Sequence, residues 1–169
     1  MGSENPRALR RVEVGNRLTI PLEFLAWLAK SARHEGQLLH FAPLTWVEQL
    51  RLPPPYELGA WALVDLNQRE LFDDWDISPI DVLELAASDP RSRDAVRLAK
   101  LVLPCRVNLK DKKRSSSPWR LTIPVELVLA GCLPAFSENG RVWVVDEHLL
   151  LSVWRLGAWN AYATADRPT

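Results

Sequence analysis

Arg17-Leu18-Thr19-Ile20-Pro21-Leu22-Glu23 returns in the second half of the chain as Arg120-Leu121-Thr122-Ile123-Pro124-Val125-Glu126, identical at six of seven positions. An echo this close, in a chain without low complexity, points to two copies of one unit. Leu, Thr and Ile in succession favour a strand with Leu and Ile on one face. Proline has no N–H for a ladder, so the strand stops there. Proline suits a first helical turn, where its missing donor costs nothing. Leu22 to Ala29 and Val125 to Ala130 read as short helices, the second stopped by Gly131. The unit is thus strand, proline, short helix, occurring twice.

The chain of 169 residues is 47% hydrophobic and 25% charged, the composition of a globular protein with a real core. No apolar run approaches the roughly 20 residues of a membrane-spanning helix. The start, Met1-Gly2-Ser3-Glu4-Asn5, is polar, so no secretory leader is expected. Cys105 and Cys132 sit in or beside apolar stretches and read as two buried thiols in a reducing compartment rather than as a disulfide. Trp27, Trp46, Trp61, Trp143, Trp154 and Trp159 have apolar neighbours and read as core.

Net charge is zero, but its distribution is lopsided. Glu57 to Asp89 holds nine acids and one base, while Arg91 to Arg120 holds ten bases and two acids. Such asymmetry bears on partners more than the total does. The plainest use of the two blocks is to pair with each other.

Working outward from the echo, residues 1–9 read as a flexible arm and 10–51 as repeat one. Val12 and Val14 alternate with Arg11 and Glu13 as in a half-buried strand. Gly15-Asn16 is a turn signal, and Gln37 to Ala42 is a further strand ended by Pro43. Leu52-Pro53-Pro54-Pro55 breaks regular structure and opens an inter-repeat segment, 52–103. Trp61 to Val64 there is a short strand or helix. A helix is expected from Ser78, a good N-cap followed by Pro79 and Asp81. Asp89-Pro90 repeats that signal for a second helix carrying Ala95, Leu98, Ala99 and Val102, stopped by Pro104. Repeat two covers 104–160. It has a strand over Arg106 to Lys110, a basic loop from Asp111 to Trp119, and the second copy of the echo. Strands over Arg141 to Val145 and Leu149 to Trp154 follow, joined by a loop at Asp146-Glu147-His148. Residues 161–169 read as a flexible tail. Trp159 follows Pro124 by 35 residues and Trp46 follows Pro21 by 25. The ten-residue deficit is about one strand plus a turn. Repeat one either lacks a strand of its second hairpin or supplies it from the insert beyond Pro55.

This order of elements resembles the MraZ family, the two-repeat branch of the AbrB/SpoVT superfamily. The resemblance rests on Glu13-Val14-Gly15-Asn16-Arg17-Leu18-Thr19-Ile20-Pro21 and on Asp111-Lys112-Lys113 followed by Arg120-Leu121-Thr122-Ile123-Pro124. It is similar to the family's Asp-x-x-Gly-Arg-x-x-x-Pro signature. Repeat one carries Glu for Asp and Asn for the turn Gly, and lacks the signature Lys. In repeat two, Arg114-Ser115-Ser116-Ser117-Pro118-Trp119 is inserted before Arg120. Leu151-Ser152-Val153-Trp154 with Trp159, and Phe41 to Trp46, resemble the family's closing strands.

The resemblance implies an α+β fold of two swapped-hairpin, β-rich repeats with short helices and a helical inter-repeat segment. It implies a sequence-specific regulator of transcription, cytoplasmic and nucleoid-associated. Such a regulator acts on promoter DNA of division and cell-wall genes and forms a homo-oligomer, a ring of subunits. Its loops before the Arg-x-x-x-Pro strands face double-stranded DNA. Arg17 and Arg120 carry over from the motif, with Lys112 and Lys113 from the loop. Arg10, Arg11, Lys110 and Arg114 join them for their charge. Arg and Lys attract phosphates, and Arg can also read guanine through two hydrogen bonds. The competing role of Arg17 and Arg120 is structural, pairing with Glu13 or Asp111 to fix a turn. The competing function is an oligomeric scaffold of the same fold that has lost DNA and offers the acidic insert to a protein partner.

No catalytic constellation is present in the sequence, and no cofactor or metal is expected. His34, His40 and His148 lack metal-ligand spacing. Asp73-Asp74-Trp75-Asp76 lacks the Gly turn and closing Glu of a calcium loop.

Overall fold

The computed structural model describes residues 8–13, 17–19, 38–48, 50–109, 119–122, 141–147 and 150–165, with side chains described over 38–48, 50–107 and 151–164. The fold is mixed α+β. Among the described residues, eight strands run β1 Ala8–Glu13, β2 Arg17–Thr19, β3 Leu38–Pro43, β4 Ala60–Val64, β5 Leu103–Leu109, β6 Trp119–Thr122, β7 Arg141–Glu147 and β8 Leu150–Arg155. They form a sheet in the order β1-β7-β8-β4-β3-β5-β6-β2. Every neighbouring pair is antiparallel. The described residues also form α1 Pro79–Ser88, α2 Arg93–Ala99 and α3 Leu156–Ala165.

The centre of the sheet is β4, the segment that sequence left open between strand and helix. Its residues, Ala-Trp-Ala-Leu-Val, are all buried. An uninterrupted apolar run of five suits a strand covered on both faces, and β4 lies between β3 and β8. The register explains how the two faces are filled. Ala42, Ala62 and Ser152 stand in one row across the three strands, and Phe41, Leu63 and Leu151 in the next. Neighbouring rows point to opposite faces. The small-residue face leaves room for Trp154, Phe72 and Ile80 of α1, and for Ala158 of α3. These close over Ala60, Ala62 and Val64 in one buried cluster. The other face is filled by large side chains: Leu39, Phe41, Trp61, Leu63 and Leu151 are fully enclosed. Each such side chain adds about 1.5–3 kcal/mol when removed from water.

Two indole N–H groups in this centre find partners. Trp61 Nε1 donates to the Leu58 carbonyl at 2.8 Å, and Trp154 Nε1 donates to Ser152 Oγ at 2.8 Å. Ser152 is thereby accommodated in an apolar row.

The helices are set by their caps. Ser78 Oγ accepts from the Asp81 N–H, Pro79 takes the first position, and α1 starts where the sequence places it. The second helix departs from expectation. Its N-cap is Ser92, whose Oγ accepts from the Ala95 N–H at 3.3 Å, while Asp89 closes α1. A Ser three residues before a free N–H competes well with Asp89-Pro90, and the chain needs the intervening residues to reverse direction. Pro104 also differs from its expected role. It does not end α2, which finishes at Ala99, but is the second residue of β5. There it faces β3 alone, because pairing with β6 begins at Val107. A proline is tolerated near a strand start. Val82 and Val102 form a second buried cluster with Ala42 and Trp46. Leu83, Leu98, Ala99 and Leu101 pack against it, fixing the helical hairpin on the sheet.

Other boundaries shift at the ends. β1 begins at Ala8, inside the expected arm. β7 continues through Glu147, which pairs with Leu150, so Asp146 and Glu147 are strand rather than loop. α3 runs to Ala165, through half of the expected tail. It is anchored by edge-to-face stacking of Trp154 on Trp159 at 5.1 Å and by Tyr162 at 5.0 Å from Trp154. Of the tryptophans read as core, Trp46, Trp61 and Trp154 are buried and Trp159 is partly so. Cys105 is buried. The helices expected after Pro21 and Pro124, with Trp27 and Cys132, lie outside the described residues.

Candidate nucleic-acid interface

The two copies of the echo lie against each other. β2 and β6 pair antiparallel, with Leu18 opposite Leu121, Arg17 opposite Thr122 and Thr19 opposite Arg120. Arg17 and Arg120 are therefore diagonal neighbours, about 7–8 Å apart between Cα atoms. Their sequence separation gives no hint of this. The pairing also places the starts of β2 and β6 at opposite ends of one short ladder.

The connection 110–118 has a defined base. Leu109 of β5 and Trp119 of β6 are register partners. Lys110, Lys112, Lys113 and Arg114 fall in that connection and lie outside the described residues. Arg10 and Arg11 are on β1, opposite Val144 and Trp143 of β7. In the strand order β1 and β2 are the two ends. Three residues join them in sequence, and they also approach each other in space. The structure thus brings Arg17 and Arg120 together and puts Arg10 and Arg11 on the strand that leads into Arg17. The expected pairing of Arg17 or Arg120 with Glu13 or Asp111 lies outside the described side chains.

The acidic residues occupy a different part of the fold. Asp65 to Asp89 follow β4 through a 3-10 turn over Arg69–Phe72 and α1. In the strand order three strands separate β4 from β2. Glu70, Asp73, Asp74, Asp76, Asp81, Glu84 and Asp89 are all exposed. The segment is held by its backbone rather than by charge. Asp76 N–H donates to the Trp46 carbonyl at 2.8 Å, and Glu48 N–H donates to the Asp74 carbonyl at 3.2 Å. Among the described ion pairs, Arg69–Glu84 at 3.2 Å stays within the acidic block and Arg97–Asp94 at 3.6 Å within the basic one. Arg51 meets Asp76 at 3.3 Å. All three are well exposed and contribute little to stability.

One titratable group stands out in the sheet. His40 lies between Val64 of β4 and Pro104 of β5, and its Nδ1 is buried without a hydrogen-bond partner. Burial pushes its pKa below the ordinary value, against a smaller upward pull from Asp65. Among the described residues no group of three or more His, Cys, Asp or Glu could hold a metal ion.

A basic stripe on α2 is absent from the residues expected from sequence. Arg93, Arg97 and Lys100 recur at helical spacing and are all exposed, with Arg91 just before them. The spacing is visible in the chain, but the denser Lys110–Arg120 run masks it.

Among the described residues, no helix is long and apolar enough to cross a membrane. Comparison with protein-family models, with curated proteins and with solved structures finds no match.

Proposed function

We propose that the chain is a sequence-specific DNA-binding regulator of transcription, built as two interlocked swapped-hairpin repeats. The observation that carries this reading is the β2–β6 ladder, in which the two copies of Arg-Leu-Thr pair about Leu18 and Leu121. The remaining pairings follow the same exchange except β5–β6, whose counterpart β1–β2 is not a ladder among the described residues. β1 pairs with β7 as β5 pairs with β3, β7 with β8 as β3 with β4, and β4 pairs with β8. Swapping the first four strands for the last four leaves this set of partners unchanged. Under that exchange β4 is the counterpart of β8, and the insert supplies the strand that repeat one was short of.

In this reading the connections 14–16 and 110–118 are the DNA-facing loops. Lys110, Lys112, Lys113 and Arg114 attract phosphates from the longer loop, and Arg120 follows at its strand. Arg17, Arg10 and Arg11 give the weaker contribution of repeat one. Its loop is short, has no lysine, and lies beside Glu13. A single chain offers one strong loop, so repeated DNA boxes are best held by several copies in an oligomer, where weak contacts add through effective concentration. The genes controlled are, by family resemblance, those of division and cell-wall synthesis. The exposed acids of the insert favour a second reading, an oligomeric scaffold with a basic protein partner.

The test is a titration of the full chain with the DNA upstream of its own gene, at several salt concentrations. The DNA reading predicts binding at low salt that weakens steeply as salt rises and exceeds binding to unrelated DNA. Absence of binding at low salt leaves the scaffold.

A further inference from the structure

The helical hairpin α1–α2 carries opposite charge on its two helices. Ile80 and Val82 of α1 and Ala95 of α2 are buried, and Leu83, Leu98 and Ala99 pack toward the core beneath. On the outer side α1 exposes Asp81 and Glu84, with Asp89 at its end, and α2 exposes Arg93, Arg97 and Lys100. Between the acids lies Leu85, 52% exposed, one of two large hydrophobic side chains so exposed among the described residues. A surface with an acidic half, a basic half and an apolar residue fits one partner in particular, a second copy of itself.

We propose that this face is a self-complementary contact between two copies of the chain, formed about a two-fold axis parallel to the helices. Such an axis sets α1 of each copy against α2 of the other. The acids of one then meet the arginines and lysine of its partner twice over, as isologous contacts require. Leu85 leaves water against the aliphatic stems of Arg93 and Arg97, which can cover apolar surface while their heads stay at the charges. The existing intrachain partners do not compete strongly. Arg97–Asp94 spans 3.6 Å with both side chains at least 75% exposed, and Arg69–Glu84 is similarly open.

A nucleic acid is the other obvious occupant of the basic half. It is disfavoured because the acids of α1 lie directly beside that half and repel phosphates. The contact is small. A ten-residue helix is about 15 Å long, so the hairpin face falls short of the roughly 800 Å² per partner of a standard interface. The association is therefore weak and salt-sensitive, and it is independent of whether the chain binds DNA.

The experiment is sedimentation velocity of the full chain at low and high salt, with two charge-reversed variants. Arg93→Glu with Arg97→Glu makes both helices acidic. Glu84→Lys with Asp89→Lys turns α1 basic beside α2. Each variant alone is expected to self-associate at least about tenfold more weakly than the parent, since like charges then face each other. An equimolar mixture of the two is expected to associate at least as well as the parent, which a folding defect could not produce. Three results overturn the proposal: self-association of either variant at the parent's strength, a mixture that fails to recover, or a parent that does not associate at low salt. So does a double arginine variant that loses DNA binding while self-association persists, which assigns the basic stripe to DNA.

Discussion

The centre of the sheet and its β2–β6 end are built on opposite terms. β4 carries no charge and no exposed residue, and both of its neighbours bury almost everything they present to it. β2 and β6 are short, each holds an arginine, and the connections leading into them hold most of the remaining candidate DNA-binding residues. The insert that interrupts the resemblance to a tandem-repeat family supplies the most buried strand. The echoed segments lie at the end of the strand order. The sequence echo thus marks a short pairing at the end of the strand order, while burial is concentrated in a strand with no echo.

The largest expected effect strikes the centre. Trp61→Ala empties a fully enclosed site and abandons the Leu58 carbonyl, so unfolding in urea should show a loss of about 3–5 kcal/mol. If the centre holds the fold as described, no alanine substitution in β2 or β6 should approach this.

Two glycines sharpen the comparison next. A Cβ on Gly59 would lie 2.8 Å from the Ala158 Cβ and 3.2 Å from the Tyr56 carbonyl, with backbone on one side. On Gly157 its three nearest atoms would all belong to the Tyr56 side chain, hydroxyl and ring, at 2.8–3.0 Å. A ring can swing and a carbonyl cannot. Gly59→Ala should therefore destabilise by about 1–3 kcal/mol and Gly157→Ala by less, read from urea midpoints.

His40 gives a pH dependence to the centre. Its folded pKa lies below the unfolded value of about 6.5, so the unfolded chain binds the proton more readily. Stability is fully present above pH 6.5 and falls as pH drops through the folded value. The drop in urea midpoint between pH 8 and pH 5.5 should be smaller in His40→Gln than in the parent. An equal drop in both would show that His40 does not set the pH dependence.

The smallest effect belongs to the surface. Arg69→Ala breaks an ion pair whose side chains are 70% and 60% exposed, and should change stability by less than about 0.5 kcal/mol.

Much of the fold was legible in the residues. Ser78-Pro79 set the start of α1 because capping is local chemistry. Alternation and echo located β1, β2, β5 and β6 to within a few residues. What sequence did not resolve depended on distant partners. Trp61 to Val64 could be strand or helix because a fully buried segment has no polar alternation, and β3 and β8 decide the matter. Pro104 read as a helix stop because its tolerance depends on β6 starting three residues later. Of the candidate site, the nearness of Arg17 to Arg120 was invisible, since antiparallel pairing of two copies does not show in either copy alone.

The central claim is that DNA is held at the loaded end of the sheet while the centre supplies stability. It is tested most directly by measuring DNA affinity against salt for the parent and for Lys112→Ala, Lys113→Ala, Arg114→Ala combined. The parent's log affinity should fall with log salt, and the variant's slope should be shallower by about 0.9 for each phosphate it no longer neutralises. The variant's urea midpoint should be unchanged. A parent that does not bind at low salt, or a variant with the same slope and affinity, contradicts the claim.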